Sequence, residues 1–474
     1  MRATYENRIC IPMEERLNEI MKGLAKNVSN SRLYMKEIIT IGLPVTLQSI
    51  FQASYSFVDQ LMVGTLGTVS IAGSGLGGKF SSLVTFTLNA VAAVASVLIA
   101  QYHGTKDEKG ISKSFVTCSL IAGIVALVFA IPGFLCPQVI MGIYSNEQDV
   151  VLVAADYLRI IAVSYLPMTA TLMLAALFRS VEKSKYPMYV SVLAIFANVF
   201  FNWLLIFGKL GCPRLGIIGA AYGTLISRVL EALVLVLILC YQNFKSELKI
   251  RVMGLTDLSF YKKISVIVFP ILLNEFSWSV GENIYAGIYG RLGKEALAAM
   301  TLTNPLQGLF IGMFSGLSSA AVVMVGKRLG QNKREEAFSI SKYLIKVGFI
   351  GSLIIATIIV VLAPFYVKLY NIEPEVRKLT IYILCALAAV IFAKILNMIL
   401  GGGIIRSGGN TTITLIIDAV GTWIFGVPLG LLTAFVFGLP IYWVYFILSL
   451  EEVVRLIIGF VVFYRKRWMQ NVTE

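Results

Sequence analysis

The chain alternates long apolar runs with short polar, charge-bearing breaks from about residue 38 to its end. A span of the bilayer core takes about 20 mostly apolar residues. On that basis the pattern predicts helices near 38–63, 70–100, 115–137, 150–177, 188–208, 215–241, 264–290, 296–325, 341–370, 377–404, 412–435 and 440–464. The fold expected is an all-α membrane protein with twelve transmembrane helices in two pseudo-symmetric six-helix bundles.

The twofold repeat is in the numbering. Pro44 and Pro270 differ by 226, as do Gly67 and Gly293, Gly104 and Gly330, Tyr144 and Tyr370, Glu147 and Glu373, and Val150 and Val376. Arg179-Ser180 and Arg406-Ser407 differ by 227. A near-constant offset over so long a stretch marks duplicated bundles of like orientation, a plan that encloses a central path between halves. The expected division is a tail over 1–37, an N-lobe over 38–241, a linker over 242–263, a C-lobe over 264–464 and a tail over 465–474.

Composition agrees with lipid as the solvent. Mean hydropathy is +0.81 and only 14% of residues are charged, where soluble domains carry about a quarter. The net charge of +14 is gathered in alternate loops, so it marks a cytoplasmic side rather than a nucleic-acid surface. Lys106, Lys109 and Lys113, then Arg179, Lys183 and Lys185, then Lys245 to Lys263, then Lys327, Arg328, Lys333 and Arg334 fall on one side with Arg465, Lys466 and Arg467. Both termini are expected in the cytoplasm, in the inner membrane of a bacterium. The six cysteines are scattered, without a CxxC pair, and read as free thiols. With His103 the only histidine, a histidine-based metal site or triad is nearly excluded. Gly73-Ser-Gly75-Leu-Gly-Gly78 matches the dinucleotide fingerprint by spelling but follows no strand, and close helix packing explains it better. No Walker A sequence occurs, so neither ATP nor any other cofactor is expected.

A charge at mid-membrane costs at least ~2.5 kcal/mol on insertion scales and therefore usually works for its place. The first span stacks Gln48, Gln52, Tyr55 and Asp59 on one face at spacings of 4, 3 and 4. Asn198 and Asn202 sit one turn apart in the fifth span. Together with Asp59 they offer hard oxygen donors suited to Na⁺, or a network tuning a proton site. In the seventh span Glu275 and Glu282 share a face, with Trp278 between them; a carboxylate beside an aromatic suits a cationic, partly apolar ligand. Lys394 needs a carboxylate at that depth, and Glu275 is the partner expected. Arg228 with Glu231, and Glu451 and Glu452 with Arg455, read as neutralised pairs within their own helices; Asp418 reads as interfacial.

The run Gly42-Leu-Pro44, then Val58-Asp59 through Gly64 to Gly67, resembles the first helix of the multidrug and toxic compound extrusion (MATE) family. Leu177-Phe-Arg179-Ser180, Asn198 to Asn202, Gly219 to Thr224 and Pro270 to Trp278 extend the likeness through both halves. The resemblance implies an outward pump for cationic or amphiphilic small molecules, driven by inward H⁺ or Na⁺ and working as a monomer. It puts the family's first-helix acid on Asp59 and its seventh-helix acid on Glu275. In DinF-like members an Asn, an Asp and a Thr form the N-lobe cation network; here Asn198 and Thr224 match and Asn202 stands in place of the acid. In NorM-like members an acid stands where this chain has Lys394. The chain thus lies between the two branches. The rival reading is a flippase for lipid-linked oligosaccharide from the same superfamily, which would want more bases than acids in its interior. A membrane enzyme finds no nucleophile–base pair.

Overall fold

The computed structural model describes residues 32–52, 62–63, 66, 68–144, 147–245, 258–368 and 373–471. Asp59 and Tyr55 lie outside them. α1 runs over 32–52, followed by α2 (Thr68–Thr105), α3 (Glu108–Leu135), the short α4 (Pro137–Tyr144), α5 (Gln148–Ser180), α6 (Lys185–Phe207) and α7 (Ile217–Phe244). The second half repeats the series with α8 (Leu258–Gly290), α9 (Lys294–Gly330), α10 (Arg334–Val367) and α11 (Pro374–Asn397). Its last two spans are α12 (Thr411–Ala419) with α13 (Val427–Leu431), and α14 (Ile441–Leu448) with α15 (Leu450–Tyr464). Among the described residues nine helices are long and apolar enough to cross a membrane by themselves. The other three spans of the twelve-helix bundle are α1, α8, and the pair α14–α15, which breaks at Ser449.

Local chemistry sets the ends. The Asp107 carboxylate accepts from the backbone N–H of Lys109 and of Gly110, each at 3.0 Å, and so starts α3. Gly208, at φ +66°, closes α6 in the left-handed conformation. Pro374 stands in the first turn of α11, where its missing N–H costs nothing. The glycines of the discounted fingerprint divide in two. A methyl at Gly73 would meet Val153 at 2.8 Å and one at Gly77 would meet Tyr157 at 2.6 Å, so these two let α2 lie against α5, whereas Gly75 and Gly78 face open space.

Three π-helical stretches interrupt the last third: Met398–Ile405, Val420–Gly426 and Leu432–Val436. The first accounts for the repeat's change of register. The offset is 226 up to Val376 and 227 from Arg406, and a π turn takes up an added residue without ending a helix.

The halves meet at the end that carries the Lys- and Arg-rich loops. There α2 and α9 cross through a glycine each. A Cβ on Gly104 would lie 2.0 Å from the Lys327 carbonyl oxygen, and one on Gly330 would lie 2.0 Å from that of Gln101. Gln101 and Lys327 are themselves 226 apart, so the crossing is two-fold related. Around it, Gln101 Nε2 donates to the carbonyls of Ser407 (2.8 Å) and Gln470 (3.3 Å), Lys327 pairs with Glu182 (2.5 Å), and Arg328 pairs with Glu37 (3.0 Å). Above this seal α1 touches α9 through Thr46 to the Met313 carbonyl (3.0 Å) and Ser49 to Ser315 (2.7 Å). The packing is also exchanged between halves. Tyr34, Ile38 and Ile41 of α1 sit in the core of the C-terminal half, and Ile264, Val268 and Ile271 of α8 in that of the N-terminal half.

Candidate functional site

Polar groups converge in three places. In the N-terminal half, α1, α6 and α7 share a continuous buried chain. Gln48 Nε2 donates to Ser191 Oγ at 2.7 Å, Ser191 donates to Glu231 Oε1 at 2.9 Å, and Arg228 holds Glu231 Oε2 at 3.0 Å. Alongside, Asn202 Nδ2 donates to Asn198 Oδ1 (2.8 Å), and Asn198 Nδ2 to Ser227 (3.1 Å) and Thr224 (3.3 Å). Gly223 makes room for this: a methyl there would lie 2.1 Å from Asn202 Oδ1. Asn198 and Asn202 are 2% and 0% exposed, so every donor that is satisfied here is satisfied by protein. A cavity of about 40 Å³, bounded by Gln52, Ser191, Asn198, Ser227, Arg228 and Glu231, adjoins the chain. That volume suits one water or one small ion. Asn198, Asn202 and Thr224 lie together here, and Gln52 borders the cavity beside Asn198. Glu231, read as a local partner of Arg228, also joins it to the other two helices.

The C-terminal half holds the counterpart with more charge. Asn274 Nδ2 donates to Asp418 Oδ2 at 2.8 Å, and Arg455 faces Asp418 at 3.9 Å, Glu451 at 3.3 Å and Glu452 at 3.8 Å. Thr422 accepts from the same guanidinium. Tyr285 donates to Glu451 at 2.5 Å. The correspondence with the first half is residue by residue: Gln48 and Asn274 differ by 226, Ser191 and Asp418 by 227, Arg228 and Arg455 by 227. Each half thus keeps an amide on its first helix, a partner on its fifth and an arginine on its sixth. The acid has moved, from Glu231 in one half to Asp418, Glu451 and Glu452 in the other. A cavity of about 150 Å³ opens beside this cluster, lined by Glu282, Tyr285, Tyr289, Asn304, Lys394 and Tyr445 among others.

Three expectations are corrected here. Glu275 does not pair with Lys394: its partner is Arg406 at 3.6 Å, and Lys394 lies 3.9 Å from Glu452. The helical register explains this, since Lys394 and Arg406 stand twelve residues apart and only Arg406 reaches the level of Glu275 near the seal. Asp418 is not interfacial but enclosed by Asn274 and Arg455. Glu275, Trp278 and Glu282 do not form one pocket. Trp278 meets Phe86 across the halves, edge to face at 5.7 Å, while Glu282 looks into the C-terminal cavity. The charged cluster on α15 was legible only as pairs within a helix; applying the repeat offset to Gln48, Ser191 and Arg228 would have found it.

The third place is the floor of the path between halves, where Arg179 and Arg406, 227 apart, border one cavity.

Comparison with known proteins places this arrangement. The MatE family model matches residues 44–204 and 270–432, once in each half. The chain belongs to the MatE family. MatE relatives include a probable multidrug resistance protein NorM of Thermotoga maritima, 26% identical over 83% of this chain and 84% of that protein. Another, of Neisseria meningitidis serogroup B, is 25% identical over 88% of this chain and 92% of its own. Among solved structures, a MATE protein in complex with MaL6 superposes with a TM-score of 0.83 at 20% identity, covering 91% of this chain and 96% of that one. A MOP superfamily transporter from Pyrococcus furiosus, described as having reverse polarity of its binding pocket, gives 0.82 at 20% identity, covering 91% and 95%. The MatE chain described here is thus a multi-pass membrane transporter.

Proposed function

We propose that this MatE protein exports cationic or amphiphilic small molecules, drugs among them, in exchange for H⁺ or Na⁺. The basic end then faces the cytoplasm of a bacterial cell, with both termini there. The observation that carries the reading is the buried chain joining α1, α6 and α7 around a cavity the size of one ion. Such a chain in the membrane core has two states, with and without its ion, and the ion's arrival rearranges hydrogen bonds on three helices at once. Asp59, which helical spacing in the sequence would set on the face of Gln48 and Gln52, is the proposed entry carboxylate, and Asn198, Asn202 and Thr224 are its proposed neighbours. Glu282, Lys394 and the tyrosines beside them are proposed to meet the substrate. By linkage, each ligand must weaken the other's binding, by about 5- to 150-fold, for exchange to run.

The test imposes the sodium and proton gradients separately on everted vesicles and follows efflux of a dye cation such as ethidium. One gradient should drive accumulation, and Asp59→Asn or Asn198→Ala should cut that drive about tenfold or more. Full gradient-driven transport in both variants would remove the network from the mechanism. A companion variant bears on the ion. Asn202→Asp adds the acid of DinF-like members beside Asn198, and should raise the response to sodium at fixed pH; an unchanged sodium response would argue for a proton.

A further inference from the structure

The floor of the path holds two guanidinium groups and is short of acid. Arg179 ends α5 and Arg406 follows the π stretch Met398–Ile405. Both border a cavity of about 240 Å³ just inside the α2–α9 seal, with Ser96, Ser318, Ser319 and Gly402. The walls come from both halves. Arg406 has Glu275 at 3.6 Å, and its Nε is buried without a hydrogen bond. The Arg179 side chain has neither ion pair nor hydrogen bond among the described residues. Three of the four lining serines are spent on carbonyls, Ser96 on Ala92 at 3.0 Å, Ser180 on Ser96 at 3.1 Å and Ser318 on Met398 at 2.8 Å. Ser319 has no such acceptor. The site therefore carries a net charge of +1, two arginines against one glutamate, and its spare donors are the Arg179 guanidinium, Arg406 Nε and Ser319.

A partly buried guanidinium with no acid beside it favours a counter-charge. Arginine presents a planar fork that matches an oxyanion. We infer that this floor cavity binds the oxyanion head of an organic monoanion, a carboxylate or a phosphodiester, between Arg179 and Arg406. An engineered cavity of roughly 150 Å³ is enough to hold benzene, so the larger space here accepts a head with a ring or short chain attached. The head could belong to a free amphiphile or to a lipid. The alternative is that Arg179 only offsets the negative end of the α5 dipole, in which case no anion binds. For transport, the inference rests on the export reading: a substrate with both charges would meet acid in the C-terminal cavity and base at the floor. For binding it stands apart from that reading.

Calorimetry on the full chain in dodecyl maltoside, with no gradient, tests it using benzoate as probe and benzylammonium as its shape-matched cation. Benzoate should bind and prefer the site to benzylammonium. Arg179→Gln should weaken benzoate at least about tenfold, the loss of one charged hydrogen-bonded contact, and Arg179→Lys should weaken it less. Gly402→Leu supplies a variant that keeps both charges: a Cβ there meets only Ser318 at 3.6 Å, so the added side chain fills the cavity and should also block benzoate. Equal benzoate binding in the wild type, Arg179→Gln and Gly402→Leu, or no benzoate binding to a folded wild type, would overturn the inference. Repeating the titration in nanodiscs of phosphatidylcholine with and without phosphatidylglycerol separates the sources: competition by the anionic lipid assigns the site to a headgroup, and its absence assigns it to a free anion. Intact benzoate binding with failed ion-driven dye export would sink the export reading and leave this site standing.

Discussion

Gly330→Leu should abolish transport while leaving the protein folded and held open at its basic end. The new Cβ would fall on the Gln101 carbonyl at 2.0 Å, and that atom belongs to backbone that cannot rotate away. Relief comes only by parting α2 from α9, the motion that opens the seal. Overpacking of this kind typically costs about 1–3 kcal/mol, and here the closed arrangement alone bears it, so the balance of states moves by about 5- to 150-fold. Spin labels at Lys185 and Lys333, one on each half at the basic end, should report a longer distance by pulsed EPR. Gly104→Leu should do the same, because the crossing is two-fold related. A variant that transports normally with an unchanged distance would show that the glycine crossing is not the seal.

Arg455→Met should be the most destabilising single change in the C-terminal half. Arg455 faces Asp418, Glu451 and Glu452, and Lys394 at 3.9 Å from Glu452 cannot neutralise all three. Breaking a buried ionic cluster by removing one partner costs about 3–5 kcal/mol, because the charges left behind lose their counter-charge. The apparent melting temperature of the detergent-solubilised protein should fall by on the order of 5 °C. Adding Glu451→Gln to Arg455→Met should recover part of the loss, since the amide oxygen can still accept from Tyr285. Should the double variant melt no higher than the single one, the cluster would not be acting as a charge balance. The N-terminal counterpart Arg228 faces one acid rather than three and is more exposed, so its removal should matter less.

Most of the architecture is written in the hydrophobic pattern of the chain. Span positions follow from how much backbone must be buried per crossing, and the duplication from differences between residue numbers. The asparagine part of the N-terminal network was legible because Asn198 and Asn202 are polar, adjacent on one face and otherwise unexplained; the chain through Ser191 and Glu231 was not. The pairing of charges was not. Whether Glu275 reaches Lys394 or Arg406 depends on how deep each helix sits, and a helix in lipid can slide by a turn without changing its hydropathy. Asp418 looked interfacial because it lies close to a predicted span end; the π stretches on either side of it shift that estimate. The floor cavity was hidden for a different reason. Arg179 and Arg406 each look like a loop-side base, and only the meeting of the two halves turns them toward one space.

The exchanged packing of α1 and α8 has a consequence for what a half of this molecule is. Each sequence repeat lends the opening of its first helix to the other repeat's interior, so neither repeat owns a complete apolar core. Rocking cannot be the motion of two finished blocks about a joint. The openings of these two helices pack with the opposite repeat, as Thr46, Ser49 and Ile271 still do just past the prolines, while Gln48 and Tyr285 join the networks of their own half. The chain is in effect an obligate pair of subunits with interlocked arms, in which the connecting loop guarantees one copy of each and the arms do the holding.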